Sequence, residues 1–186
     1  MNWCKICIPI LLFCFSCMGK EEQLREEIKM FQSRPVSLCV DKMLVLKDGR
    51  DTVVSRRGGV MRMVVYTDST ICSSCRLQNI HLWDDLLEEA SYYEESLDFY
   101  FIFSPTRKDM DSFRLTMRTY APDNIVYVDT LGLFAKQNPY LSSNPIMHTF
   151  LLDEDNNVLL VGNPLENEKI AEMFWQIVEE KLGKRE

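Results

Sequence analysis

The stretch MRMVVYTDSTICSSCRLQ, Met61 to Gln78, decides how the rest of the chain is read. Met61 to Thr67 is a short apolar run, which predicts a strand with a buried centre. From Ser73 onward, Leu77, Ile80, Leu87 and Ala90 recur at helical spacing, which predicts a helix reaching about Tyr92. Cys72 and Cys75 therefore fall where a strand hands over to a helix. The first turn of a helix carries partial positive charge and N–H groups without internal partners. A thiolate placed there is stabilised, so its pKa falls and it becomes a nucleophile near neutral pH. Cys75 lies one turn further on and points to the same side, within reach of a disulfide to Cys72. Arg76 adds a cation beside the pair.

Working outward, Ser37 to Leu46 and Thr52 to Ser55 read as strands joined by the turn signal Lys47-Asp48-Gly49. Before them, Leu24, Ile28 and Phe31 recur amid charge, which predicts a short stalk helix over Lys20 to Gln32. Beyond the dithiol, Leu97 to Phe103 is a strand closed by Pro105. Thr106 to Tyr120 is a helix with Met110, Phe113, Met117 and Tyr120 on one face. Ile125 to Val128 is a short strand. Met147 to Leu152 and Val158 to Val161 form a hairpin around Asp153 to Asn157, and Leu165 to Leu182 closes the chain as a helix. Alternating strands and helices imply an α/β fold: a central mixed sheet covered on both faces, with the hairpin as an antiparallel edge.

The chain of 186 residues has net charge −7, which leaves no basic footprint for nucleic acid. Its start, MNWCKICIPILLFCFSCMGKEEQ, places Lys5 before an apolar run from Ile6 to Phe15. That run has the length of a signal-peptide core and falls short of the roughly 20 residues a membrane span needs. Ser16 and Cys17 follow it directly and resemble a bacterial lipoprotein cleavage site, with Cys17 acylated. The expected organisation is a signal peptide over 1–16, a lipidated N-terminus and stalk over 17–34, and one domain over 35–186. Acyl chains on Cys17 would hold the protein at a membrane without a spanning helix. Lys20-Glu21-Glu22 resembles the charged tag of some surface-exported lipoproteins, so the expected place is the cell envelope, on the periplasmic side or the cell surface. Of seven cysteines, Cys39, Cys72 and Cys75 then remain in the domain, enough for one bridge and one lone thiol. Cys39 is most simply a buried apolar filler.

The order strand, Cys-x-x-Cys, helix, strand, helix, hairpin and final helix resembles the thioredoxin fold. Leu46 to Cys75 (LKDGRDTVVSRRGGVMRMVVYTDSTICSSC) is similar to the approach to the dithiol in membrane-tethered thiol–disulfide oxidoreductases of the TlpA/ResA type. His148 to Asp153 (HTFLLD) is similar to that family's TTFLID. The resemblance implies a redox-active disulfide between Cys72 and Cys75, with Cys72 attacking and Cys75 resolving. It implies a substrate groove formed by Ile71, Ile146 and Met147. It also implies partners that are protein thiols or disulfides of the cell envelope, a membrane reductase as electron donor, and no organic cofactor. Three positions differ from the family. Met147 stands in place of its cis-proline, with Pro145 two residues earlier; Tyr66 stands where many members carry a buried acid; and Ser73-Ser74 replaces Gly-Pro.

Other chemistries fit fewer residues. A zinc site needs two ligands beyond Cys72 and Cys75, and only Cys39, His81 and His148 are available. A copper-delivery protein of the Sco type would pair the thiols with a histidine near Met147-His148, but that family spaces its cysteines by three residues. A non-catalytic binding lipoprotein, with the pair locked as a structural disulfide, is the reading from another functional class. The Cys-x-x-Cys at a helix start favours thiol–disulfide exchange, with no metal.

Overall fold

The computed structural model describes residues 19–54, 59–93 and 96–184. The expected signal peptide and the Ser16–Cys17 junction lie outside the described residues. Among the described residues, no helix is long and apolar enough to cross a membrane.

Among the described residues, seven strands form one mixed sheet: β1 (Leu44–Lys47), β2 (Arg50–Asp51), β3 (Met61–Thr67), β4 (Leu97–Phe103), β5 (Val126–Val128), β6 (Thr149–Leu152) and β7 (Val158–Val161). Their order is β2-β1-β5-β4-β3-β6-β7. The three central strands β3, β4 and β5 run parallel, and both flanks are antiparallel. The closing hairpin β6–β7 forms the edge that the sequence predicts. Among the same described residues, six α-helices accompany the sheet: α1 (Lys20–Gln32), α2 (Ser73–Gln78), α3 (Asp84–Ala90), α4 (Met110–Tyr120), α5 (Leu133–Gln137) and α6 (Glu168–Leu182).

Successive strand residues point to opposite faces. On β3, Met61 and Met63 join one buried cluster, while Val64 and Tyr66 join the other. On β4, Phe101 and Phe103 face the first cluster, and Tyr100 and Ile102 the second. The first layer is filled by Leu77 of α2, Leu86 of α3, Phe113 and Met117 of α4, and Phe174 and Val178 of α6. The second is filled by Phe31 of α1, Phe134 of α5 and Met147. A sheet buried on both faces needs apolar residues at both parities, which is why the central strands read as continuous apolar runs. The predicted stalk helix, α1, lies on the sheet: Phe31 is buried, with its ring edge-on to Phe150 at 5.0 Å between centroids.

Several boundaries move for local reasons. The first hairpin turns on Asp48 and Gly49, both at positive φ (50° and 66°), and pairs Lys47 with Arg50. Such a two-residue turn matches the twist of its strands and favours Asp-Gly. It draws β2 back to Arg50–Asp51 from the expected Thr52 to Ser55, and Ser55 itself is outside the described residues. Cys39 takes a left-handed φ of 41° before a 3-10 turn at Val40–Lys42, so β1 starts only at Leu44. The single helix expected from Ser73 to Tyr92 is two helices joined by a 3-10 turn at Ile80–Trp83. Asn79 breaks the run: its backbone leaves the helical region and its side chain donates back to the Cys75 carbonyl at 3.4 Å.

Candidate active site

The site lies at the carboxyl ends of β3 and β4, the edge of a parallel sheet where loops meet helix starts. β3 ends at Thr67. Asp68 then folds the loop, accepting from the Thr70 amide at 2.7 Å and from the Thr70 hydroxyl at 2.6 Å. Burial pushes the Asp68 carboxyl up, but these bonds, the nearby His148 and the Ile71 amide outweigh it and hold the group below its ordinary range.

Cys72 is the N-cap of α2, and its sulfur accepts from the Cys75 amide at 3.2 Å. Cys72 and Cys75 are joined by a disulfide with Cα atoms 5.2 Å apart, inside the usual span for a bridge. Both cysteines are exposed. The helix geometry explains this. Ser73 and Leu77, one turn apart, face the core and are buried. Cys75 lies two residues after Ser73, about 200° around the helix axis, and so faces water. Neither sulfur is sheltered, and Arg76 is exposed beside them.

The segment Pro145–His148 is a 3-10 turn that leads into β6. β6 pairs antiparallel with β3 in the register Val65 opposite Thr149, which carries this turn to the end of β3. The two predicted groove residues on it diverge: Ile146 is exposed, whereas Met147 is fully buried in the second cluster with Tyr66 and Phe134. Ile71, the third, is half-buried beside Cys72. No described peptide bond is cis, including that before Pro145.

His148 is buried, with its ring 5.2 Å from that of Tyr66. Its Nε2 lies 3.0 Å from the Ser142 carbonyl, so the proton belongs on Nε2 and that nitrogen donates. The other nitrogen, Nδ1, is buried without a partner. Burial lowers the His148 pKa, with the Ser142 bond and Asp68 acting against it and Arg76 with it. Burial raises that of Tyr66, whose phenol faces Ser104. The Ser104 hydroxyl itself makes no hydrogen bond of normal geometry.

A cleft of 340 Å³ opens on the β4 side of Cys72, bordered by Thr70, Ser73, Ser104, Thr106 and Asp109 among others. Sequence reasoning missed this wall. Its signal was Ser104-Pro105, the step directly beyond a strand parallel to the one that carries the dithiol.

Cys39, His81 and His148, which a zinc site would have to recruit, do not group with the two cysteines among the described residues. Among the described residues, no group of three or more His, Cys, Asp and Glu side chains is placed to hold an ion. His81 is exposed on the 3-10 turn after α2, and Cys39 is half-buried in its left-handed turn. Burial, with Asp129 and Asp41, raises the Cys39 thiol pKa.

A solution structure from Bacteroides vulgatus, a candidate thiol-disulfide oxidoreductase, aligns with a TM-score of 0.50 and 18% identity, over 80% of this chain and 92% of that one. The fold is thioredoxin-like. In this frame the dithiol follows β3, and the Pro145–His148 turn meets the end of the same strand. A candidate thiol:disulfide interchange protein, DsbE, from Chlorobium tepidum aligns at TM-score 0.48 and 14% identity, over 72% of this chain and 92% of its own. A thiol:disulfide interchange protein of the thioredoxin family from Chlorobium tepidum TLS aligns at TM-score 0.44 and 16% identity, over 75% and 96%. No family model and no curated protein sequence matches the chain.

Proposed function

We propose that the protein exchanges thiols for disulfides through the Cys72–Cys75 couple. The observation that carries this reading is a bridged Cys-x-x-Cys at a strand–helix junction of a thioredoxin-like fold, with both cysteines open to solvent. In the reduced form, the Cys72 thiolate attacks one sulfur of a partner disulfide. A Cys72–partner bond forms, the partner's own S–S bond breaks, and its other sulfur leaves as a thiolate. Cys75 loses its proton to water and attacks Cys72. The mixed disulfide breaks, the Cys72–Cys75 bond forms, and the partner's second sulfur leaves. Two electrons pass from the dithiol to the partner, whose thiolates take up two protons. A thiol reductant of the envelope, such as a membrane reductase, restores the dithiol.

Cys72 is assigned as the attacking sulfur because it caps α2 and already accepts the Cys75 amide. Ile71 and Ile146 are proposed as groove residues that receive the partner, while Met147, fully buried, is withdrawn from the groove to the core. Acylation at Cys17 is proposed to hold the domain at the cell envelope, on the strength of the Ser16–Cys17 junction.

The test measures the reduction potential of the couple beside insulin reduction, with Cys75→Ser and Cys72→Ser variants. Cys75→Ser is expected to accumulate mixed disulfides with partners, and Cys72→Ser few. A second reading, a binding protein with a structural disulfide, is favoured by Met147, which turns into the core where the resembled family places a proline. Absence of insulin reduction, with no mixed disulfide on either variant, would select that reading.

A further inference from the structure

Helix α1 and the stretch that leads into the Pro145–His148 turn are tied together at several points. Ser142 donates its hydroxyl to Glu27 of α1 at 2.7 Å. The Arg34 guanidinium lies over the Tyr140 ring at 4.5 Å. The Asn138 side chain accepts from the Ser37 amide at 2.8 Å and donates to the Ser37 carbonyl at 2.9 Å. Rising numbers pair with falling ones, so the two segments run antiparallel. α1 itself is anchored by Phe31, buried edge-on to Phe150 of β6, and by Leu24 and Ile28, half-buried against the same cluster. Helical spacing puts these apolar residues on one face, with Glu27 beside them. The two oxygens of its carboxylate are used separately: Oε1 accepts from Gln23 one turn back at 2.9 Å, and Oε2 receives Ser142.

We propose that Glu27 is a positioning residue for the Pro145–His148 turn, acting through Ser142 to set the surface that the turn presents to a partner at the end of β3. The proposal rests on the exchange reading above and adds to it the element that shapes the partner's groove. Ser142 holds both ends of the turn. Its hydroxyl oxygen accepts from the Asn144 amide at 3.1 Å, and its carbonyl accepts from His148 Nε2 at 3.0 Å. Asn144 then caps the turn: its side-chain oxygen accepts from the Ile146 amide at 3.2 Å, and its carbonyl accepts from the Met147 amide at 2.9 Å. A continuous relay of hydrogen bonds therefore runs from Glu27 through Ser142 and Asn144 to Ile146, the exposed groove residue. Its first bond has a carboxylate as acceptor, the stronger kind. A hydroxyl that donates to such a group is polarised into a better acceptor, so Glu27 also strengthens the bond to Asn144. Pro145 has a ring that fixes its own φ, and Met147 has none. The shape of the turn therefore depends on these bonds, and through them on a helix 115 positions away in the chain. Glu27 touches no substrate in this scheme.

The experiment compares Glu27→Ala, Glu27→Gln, Ser142→Ala and the Glu27→Ala/Ser142→Ala double variant. Alanine is the best helix former, so α1 keeps its conformation and its apolar anchors. In amide hydrogen exchange, Glu27→Ala is expected to speed Asn144, Ile146 and Met147 about tenfold, the loss of one bond to a charged group, with the amides of α2 and β4 unchanged. Glu27→Gln keeps an acceptor for the Ser142 hydroxyl and is expected to stay within about threefold of the wild type. The double variant is expected to match Ser142→Ala, because the effect of Glu27 passes through that hydroxyl. In single turnovers of the pre-reduced protein, Glu27→Ala is expected to lower the ratio of second-order rate constants for insulin over diethyl disulfide about fivefold, since only the larger substrate reaches the turn. Unchanged exchange at the turn in Glu27→Ala, acceleration spread evenly over the domain, or full additivity in the double variant would overturn the proposal. So would an unchanged insulin preference where the wild type reduces insulin. If the wild type reduces neither disulfide while the turn amides still respond to Glu27→Ala, the positioning role stands and the exchange reading falls.

Discussion

Reduction of the Cys72–Cys75 disulfide should leave the fold standing. A disulfide stabilises chiefly by restricting the unfolded chain, and the restriction grows with the loop it closes. This bridge joins residues separated by only three positions. The loop-entropy relation then allows about 2 kcal/mol at 25 °C, less than half of what a 100-residue loop would contribute. The reduced form recovers part of that. A Cys72 thiolate would accept the Cys75 amide at the start of α2, and charge at a helix start is stabilised by about 0.3–1 kcal/mol. The net loss is therefore about 1–2 kcal/mol. For a domain of this size it lowers the melting temperature by about 2–8 °C. The same difference makes the folded couple about 20–40 mV more reducing than the unfolded dithiol, since 30 mV is worth about 1.4 kcal/mol. Calorimetry with and without a strong thiol reductant reads the first quantity, and titration against a glutathione buffer, folded and in denaturant, reads the second. A reduced protein that melts more than about 15 °C lower would refute the reasoning, because a four-residue loop cannot supply that much. It would mean that the bridge holds α2 in place.

Asp129 is buried and receives the amides of Leu131, Leu133 and Phe134, the last two at 2.9 and 2.8 Å. Asp129→Ala leaves those donors unpaired at the start of α5 and should cost about 2–4 kcal/mol in urea unfolding, with Asp129→Asn losing less. His148 should give stability a pH slope. Its folded pKa lies below 6.5 because burial disfavours the imidazolium. The unfolded chain therefore binds more protons between that lowered value and about 6.5. Stability falls as pH drops through this window, by at most about 1.4 kcal/mol per pH unit, and His148→Phe should flatten the slope. Asp68, held below its ordinary value, acts in a separate window: its contribution is present above about 4 and is lost as pH falls through the lowered pKa. At the other end of the chain, Cys17→Ala should abolish palmitate-analogue labelling and membrane retention in bacterial cells while the domain stays folded. Retention of the unlabelled mutant would remove the lipid anchor.

The periodicity of the chain determined the long strands and helices. Met61 to Thr67, Leu97 to Phe103 and the closing hairpin were legible as strands because burial on both faces demands continuous apolar runs. The strand–helix junction at Cys72 was legible because the pattern changes period there. Helix continuity was not: Leu77, Ile80, Leu87 and Ala90 keep helical spacing across Asn79, and the break depends on how that one backbone residue turns. Nor was α5, whose five residues are too few to show a period and are held by Asp129 from the end of β5. The spacing of Cys72 and Cys75 put two sulfurs within bonding reach whatever the fold around them. Their shared exposure was decided by tertiary packing, because Ser73 and Leu77 took the inward face of α2. The same holds for the hydroxyl cleft and for His148 against Tyr66. Ser104 and His148 lie far from Cys72 along the chain. Only the pairing of β4 and β6 with β3 brings them to one edge, and register between distant strands is written in long-range burial that no local pattern records.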